Sequence, residues 1–264
     1  MWIYGHRGAM GLAPENTIIA IKKGLEINVD MIEIDVFVLP CGEIIVIHDD
    51  TLERTTSGRG KVVDTSFKQL RTLDAGEGQK IPTLDEVVKV IDGRVLLNIE
   101  IKGKGSAKAV AKAIRRYTAR GKLTANHFLV SSFDHNEVRM FHHLMPDVPI
   151  SALFHSGDTT NFVERTKQLD TSMIGTNMLE ITHTLMHEAK LHGIEVMAYP
   201  SNITKEEEIA LTVKLFDLGV LGVFSNYPDA ARAAITPVTA RPGIRAWLTT
   251  LVTGGNPAQS LQRV

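Results

Sequence analysis

Cysteine is almost absent from this sequence: Cys41 stands alone among 264 residues. A single thiol excludes an intrachain disulfide framework and suits a reducing compartment. Charge of one sign is missing too, since 29 Lys and Arg against 30 Asp and Glu leave a net charge of −1. That removes any bulk attraction to nucleic acid or an anionic membrane, so an anionic ligand has to be held by local charge. No apolar run approaches the ~20 residues needed to cross a bilayer, and no stable membrane insertion is expected. Strand-like sequence begins at Trp2, which leaves no room for a secretory leader and makes a cytoplasmic enzyme the simplest expectation. Zinc-type Cys/His spacing is lacking, and Gly5-His6-Arg7-Gly8 does not form a G-x-G-x-x-G loop. The remainder is ordinary globular composition, 44% hydrophobic and 22% charged, enough for one large core or two small ones.

Apolar runs alternate with amphipathic stretches along most of the chain. Strand character falls at Trp2–Tyr4, Met31–Val38, Val95–Ile101, Phe128–Val130, Pro149–Leu153, Met173–Gly175, Ile194–Ala198 and Val220–Phe224. Helical periodicity falls between them, at Thr17–Ile27, Leu84–Ile91, Ala107–Ala119, Asn136–Leu144, Asn161–Leu169, His183–Leu191 and Lys205–Leu218. Strands that alternate with helices imply a parallel sheet covered by helices. Eight such strands in this length predict an α/β fold, a TIM-type (β/α)8 barrel, over a doubly wound open sheet. The barrel is expected over residues 1–235, with a small insertion of little periodicity at about 49–82, after the second strand. The tail 236–264, with a short apolar patch at Ala246–Val252, is expected to pack on the barrel or extend from it.

Charge interrupts two of the apolar strands. Residues two apart on a strand share a face, so Glu33 pairs with Asp35 and Glu100 with Lys102. Unpaired charge in an apolar strand costs several kcal/mol, and one such pair is as readily a salt-bridged core feature as a site. Two pairs near the C-terminal rim of a barrel, where active sites form, point to function. Glu33, Asp35 and Glu100 offer the oxygen ligands that Mg²⁺ or Ca²⁺ prefers. Arg7 and Lys102 supply cationic partners for phosphate oxygens. His6 and His48 each follow a strand-like run, and imidazole is suited to accepting and donating protons near neutrality. The other eight histidines are read as structural or surface positions. His183 and His187 lie four apart on a predicted helix but lack the H-E-x-x-H order. Met178, Met186 and Met197 are read as core filler.

The ordered motifs His6-Arg7-Gly8, Ala13-Pro14-Glu15-Asn16-Thr17, Glu33-x-Asp35, and His48-Asp49-x-Thr51-Leu52-x-Arg54-Thr55-Thr56-x-Gly58 resemble the glycerophosphodiester phosphodiesterase family. Leu73-Asp74-Ala75-Gly76, Ile81-Pro82-Thr83-Leu84 and Asn98-Ile99-Glu100-Ile101-Lys102 follow in the same order; Ser131-Ser132-Phe133-Asp134 and Phe224-Ser225-Asn226-Tyr227-Pro228 are looser matches. The resemblance implies a TIM-like barrel and cation-dependent hydrolysis of glycerophosphodiesters to glycerol 3-phosphate and an alcohol. It also implies His6 and His48 as the acid/base pair, and Glu33, Asp35 and Glu100 as metal ligands. Arg7 and Lys102 would contact phosphate, with Phe133 and Tyr199 also binding substrate. The family reaction is drawn either through a cyclic phosphate or by direct attack of water, with the same residues. Two departures lie on the rim: Tyr199-Pro200-Ser201-Asn202 where many relatives carry a tryptophan with Thr and Asn, and Ser225-Asn226 where they usually carry Thr-Asp.

Three other readings compete. Lysophospholipase D-like action on lipids would favour a large exposed apolar patch. Metal-assisted proton abstraction, with carboxylate ligands and a lysine or histidine base, would account for the carboxylates but leave Arg7 and the paired histidines less explained. A non-catalytic phosphodiester-binding barrel is opposed by the presence of both histidines and all three carboxylates. A small-molecule substrate without nucleic acid is expected, and nothing in the sequence demands an oligomer.

Overall fold

Strand alternation sorts side chains to two faces, and the computed structural model, which describes residues 1–235, closes one of those faces inward. Among the described residues there are nine strands: β1 (Trp2–Gly5), β2 (Met31–Val38), β3 (Ile44–Val46), β4 (Leu96–Ile101), β5 (Phe128–Ser132), β6 (Ile150–Leu153), β7 (Met173–Asn177), β8 (Glu195–Tyr199) and β9 (Gly222–Ser225). All but β3 pair in parallel, and β1 bonds both β2 and β9, so eight strands form the closed barrel of a TIM fold. Every strand expected from the sequence is present. The expected C-terminal tail, 236–264, lies outside the described residues.

Trp2, Tyr4, Met31, Leu96, Leu129, Met173, Met197 and Leu221 form one buried cluster, the floor of the barrel interior. Their neighbours in sequence point the other way: Ile32, Ile34, Leu97 and Ile99 are buried against the surrounding helices. Each such side chain contributes roughly 1.5–3 kcal/mol on burial. Above the floor, on the same inward face, alternation places Glu33 and Asp35 of β2 and Asn98 and Glu100 of β4. Register ties these together, with Glu33 opposite Asn98 and Asp35 opposite Glu100. The floor closes the barrel, and the polar layer above it opens upward.

The helices are α1 (Ile18–Glu26), α2 (Phe67–Leu70), α3 (Leu84–Ile91), α4 (Ala107–Thr118), α5 (His135–Leu144), α6 (Phe162–Gln168), α7 (His183–Leu191), α8 (Lys205–Leu218) and α9 (Pro228–Ile235). Capping explains the sharp starts of α3 and α8. Thr83 and Glu86, and Thr204 and Glu207, satisfy each other's backbone N–H groups reciprocally. Gly219, at φ 81°, ends α8 in the left-handed region that glycine adopts freely. Met178 and Met197 are buried, Met197 in the barrel floor, and Met186 packs against the cluster that holds Met178, as core residues do. The sequence pattern did not reveal α2 or α9, which are short; α9 begins at Pro228, a residue well suited to a first helical position.

The insertion has more structure than its weak periodicity suggests. β3 runs antiparallel to β2 outside the barrel, pairing Val46 with Val36 and Ile44 with Val38. Ile45, Ile47, Leu52, Val62, Leu70 and Ile81 then make a separate small core beneath the loop. The chain returns to its starting edge, where Val46 N donates to Pro82 O at 2.8 Å. His48 is therefore carried by this side structure, two residues beyond β3, and not by a barrel strand.

Candidate active site

The loop after β1 is tight enough to demand glycine. A Cβ on Gly8 would lie 2.6 Å from the Ala20 backbone at the start of α1, and Gly8 itself has φ +90°. Arg7 beside it is also held at a positive φ, 49°, a conformation that costs a non-glycine residue free energy. Contacts with β2 and with the turn before α1 maintain it: Arg7 N donates to Glu33 Oε2 at 2.7 Å, and Asn16 N donates to Arg7 O at 3.0 Å. Asn16 grips Asp35 at two points, donating from Nδ2 to Oδ2 at 2.8 Å and accepting at Oδ1 from Asp35 N at 3.2 Å.

One cavity of about 740 Å³ opens over the polar layer, and His6, Arg7, Glu33, His48, Glu100, Lys102, Phe133 and Tyr199 all line it. Asp35 alone of the expected site residues is not on its wall; it is buried behind, at 1% exposure. The three carboxylates still converge, each offering an oxygen within 4.8 Å of the others. Among the described residues this is the one group of three or more His, Cys, Asp or Glu side chains that can hold a metal ion. Buried all-oxygen donors suit a hard cation, and Glu33 Oε1 is buried without a hydrogen-bond partner. His183 and His187 are exposed and join no such group.

Two cations compensate the carboxylates from opposite sides. Lys102 Nζ donates to Glu100 Oε1 at 2.7 Å and lies 3.6 Å from Asp35 Oδ1. Arg7 Nε lies 3.6 Å from Asp35 Oδ2, while its Nη1 donates to Glu15 Oε1 at 2.7 Å. Burial alone would raise the Asp35 pKa, but Lys102 and Arg7, with His48 and Asn16, hold it down to about 2. Glu33 is pushed well above the usual carboxylate range by burial and by its neighbours Asp35 and Glu100. Burial also raises Glu100, to about 7, against the pull of Lys102. The triad thus resists carrying three negative charges unless a cation joins it.

The two histidines have different partners. His6 Nδ1 lies 2.7 Å from Asn226 Oδ1, an amide, whereas His48 Nδ1 lies 2.6 Å from Asp49 Oδ1, a carboxylate. Lys102 Nζ lies 3.1 Å from His48 Nε2. Burial, then Arg7, lowers the His6 pKa to about 3; burial lowers His48 as well, partly offset by Asp35. Both rings are neutral near pH 7 in this state. Asp49 is itself held well down by Arg54, which bridges it to Glu15, so an ion-pair chain runs from His48 through Asp49, Arg54 and Glu15 to Arg7.

Aromatic side chains form the far wall. Phe133 stacks on His155 at 4.3 Å between centroids and meets the Tyr199 ring edge-on at 5.6 Å. Tyr199 is oriented by its hydroxyl, which donates to Phe154 O at 2.7 Å. His155 corrects the sequence reading, which gave all eight remaining histidines structural or surface roles. Its place on the cavity wall follows from β6 ending next to β5, and no motif around it signals this. Arg54, Asp49 and Asn226 also line the cavity. The first two stand in a recognisable motif; the partnership of Asn226 with His6 has no local signal.

A barrel with this polar layer and paired histidines at its open rim presents a candidate hydrolytic site whose acidic cluster could hold a metal ion, and comparison narrows the class. The sequence profile of the Glycerophosphoryl diester phosphodiesterase family matches residues 6–230. A glycerophosphodiester phosphodiesterase of Caldanaerobacter subterraneus subsp. tengcongensis is 30% identical over 240 residues, 86% of this chain and 94% of that protein. A human lysophospholipase D is 26% identical over 269 residues, 86% of this chain and 83% of that protein. Among solved structures, an Oleispira antarctica phosphodiesterase in complex with the product sn-glycerol-3-phosphate superimposes with a TM-score of 0.78 at 28% identity, covering 89% of this chain and 97% of that one. The chain belongs to the glycerophosphoryl diester phosphodiesterase family, and is an enzyme of the phosphodiesterase class.

Proposed function

We propose that the protein hydrolyses glycerophosphodiesters to sn-glycerol 3-phosphate and an alcohol in a divalent-cation-dependent reaction, with His6 and His48 transferring the protons. The observation that carries this reading is the shared cavity: both imidazoles, both cations and two of the three carboxylates line it, with Asp35 directly behind. Glu33, Asp35 and Glu100 would hold Mg²⁺ or Ca²⁺. When bound, the ion would polarise the phosphoryl group and offset charge developing on it. Arg7 and Lys102 hold phosphoryl oxygens, Arg7 as a planar fork and Lys102 as a point charge. Phe133 and Tyr199 supply an apolar wall against the carbon skeleton, and Tyr199 cannot reorient without giving up its bond to Phe154 O.

Proton transfer needs one group to take a proton and another to give one. His6 and His48 face the carboxylates and cations across the cavity, and their unlike partners, Asn226 and Asp49, tune them apart. Among the described residues no helix is long and apolar enough to cross a membrane. The human lysophospholipase D favours a second substrate class, lysophospholipids, by the same chemistry.

The test is release of sn-glycerol 3-phosphate from a panel of glycerophosphodiesters and lysophospholipids, with chelator and with added Mg²⁺ or Ca²⁺. Activity should vanish in chelator and return with the cation, and His6→Ala and His48→Ala should each lower kcat by about 10²–10⁴-fold. Full activity in chelator rejects the cation; near-wild-type turnover by either variant removes that histidine from catalysis.

A further inference from the structure

Asn226 is held by a buried carboxylate that the reaction outlined above does not use. Glu208, in the first turns of α8, is fully buried. Its Oε1 accepts from Ser225 Oγ at 2.5 Å, from Asn226 N at 3.0 Å and, more weakly, from Tyr227 N at 3.4 Å. Its Oε2 has no hydrogen-bond partner, and burial raises the pKa of the group. A carboxyl group placed this way is costly, and well-packed apolar residues often serve stability as well or better. What it secures is the turn 225–227. From the other side Gly11 N donates to Asn226 O at 2.8 Å, and Gly11 packs so closely on Tyr227 that a Cβ would lie 2.4 Å from the ring. His6 N also donates to Ser225 O at 3.1 Å. The backbone of Asn226 is thus gripped on both sides, and its side chain meets His6 Nδ1 at 2.7 Å.

We propose that Glu208 and Asn226 are positioning residues that set the tautomer of His6: Asn226 Oδ1 accepts from Nδ1–H, leaving Nε2 as the ring's proton-accepting atom. This rests on the reading of His6 as a proton-transfer residue. A neutral imidazole carries its one proton on either nitrogen, and the hydrogen bond at the first decides the state of the second. Arg7, Asp35 and His48 are the charged and titratable groups that act on His6, and burial with Arg7 keeps it neutral. The choice between tautomers is then the remaining degree of freedom, and Asn226 makes it. At His48 the same position is taken by Asp49, a carboxylate, while Lys102 Nζ meets Nε2 at 3.1 Å, so the ring proton again belongs on Nδ1. The two rings differ in the group behind them, a neutral amide at His6 and a carboxylate at His48.

The experiment combines ¹⁵N NMR of ¹⁵N-histidine-labelled protein with kinetics. His6 resonances are assigned by their loss in His6→Gln. Wild-type protein should show a protonated Nδ1 and a bare Nε2 at His6. Asn226→Leu, which removes the acceptor, should mix the tautomers and lower kcat on the order of tenfold to a hundredfold, with KM within about threefold. Asn226→Asp keeps an acceptor oxygen and should restore the Nδ1–H signature. Glu208→Gln keeps Oε1-type acceptance and should stay within about threefold of wild-type kcat, whereas Glu208→Leu should behave like Asn226→Leu. If Glu208→Leu does not fold, Ser225→Ala removes one of the same ties and should shift kcat and tautomer in the same direction. A His6 ring protonated at Nε2 in the wild type overturns the proposal, as does Asn226→Leu with wild-type kcat and tautomer. The reading of His6 as catalytic fails separately, if His6→Ala retains activity, because the tautomer is observed without turnover.

Discussion

Arg54→Met isolates the coupling between the insertion and the barrel rim. The guanidinium makes four charge-assisted bonds: Nε to Asp49 Oδ2 at 2.6 Å, Nη2 to Asp49 Oδ1 at 2.8 Å, Nη1 to Glu15 Oε2 at 2.7 Å and Nη2 to Glu15 Oε1 at 2.8 Å. Two buried bidentate pairs would be worth several kcal/mol, but this side chain is 47% exposed and solvent screens it. The expected loss of stability is about 1–2 kcal/mol, or a fall in Tm of roughly 3–6 °C for a chain of this size. Methionine also leaves Asp49 bonded only to His48, and Glu15 only to Arg7, so each catalytic-side partner gains freedom. We expect kcat/KM to fall about tenfold, which corresponds to about 1.4 kcal/mol of transition-state stabilisation. The assays are a thermal melt and steady-state kinetics at low and at ~1 M salt, where the Debye length shrinks to about 3 Å and the stability difference should narrow. Arg54→Lys should recover part of the stability and little of the activity, because one ammonium cannot span two carboxylates bidentately. Wild-type kcat/KM in Arg54→Met, or full recovery in Arg54→Lys, would refute the coupling.

Metal-free protein should lose stability as pH rises. Glu100, raised to about 7, and Glu33, pushed well above the usual carboxylate range by burial, favour the fold while protonated, so that contribution is complete below about 4.5 and is lost as pH climbs through the raised values, about 7 for Glu100. His6 and His48 have lowered values and act oppositely, but only below about 6.5; melts between about pH 6.5 and 8.5 in chelator therefore isolate the carboxylates. Added Mg²⁺ or Ca²⁺ should flatten the decline, and a chelated protein with constant Tm across that window would contradict it. Glu33→Gln should abolish cation stimulation of activity while the fold survives, checked by circular dichroism beside the assay; retained stimulation would remove Glu33 from the ligand set. Gly222→Ala should destabilise by about 1–3 kcal/mol without touching the rim, because its Cβ would lie 2.3 Å from the Tyr4 ring in the barrel floor. An unchanged urea midpoint would show that the floor can yield.

Much of the barrel could be read in advance because its strands carry a simple signal, apolar runs at regular intervals, and because charge in such a run is conspicuous. Glu33, Asp35, Glu100 and Lys102 stood out for that reason, and register then placed Asp35 opposite Glu100. Features set by closure of the barrel left no local trace. His6 and Asn226 are 220 positions apart and meet because β1 pairs with β9. His155 reaches Phe133 only because neighbouring strands end side by side. The insertion was recognised by its length and lack of period, but not its β3 pairing or its own small core, since each apolar contact there joins residues distant in sequence. Arg54 was visible as part of a motif, without the four bonds that give it a job.

The site draws on two structural units of unequal necessity. The carboxylates and His6 belong to barrel strands and their first loop, which the hydrogen-bonded ring of eight strands holds together, while His48 sits on a side lobe with a separate core. Lobes of this kind open at lower free energy than the sheet they lean on. A molecule with the lobe open and the barrel intact would keep its acidic cluster and lose His48, one of the two histidines proposed to carry protons; on that proposal it is a resting form able to hold an ion but not to turn over. Catalytic competence in this enzyme would then track the closing of a side lobe more closely than the melting of the barrel.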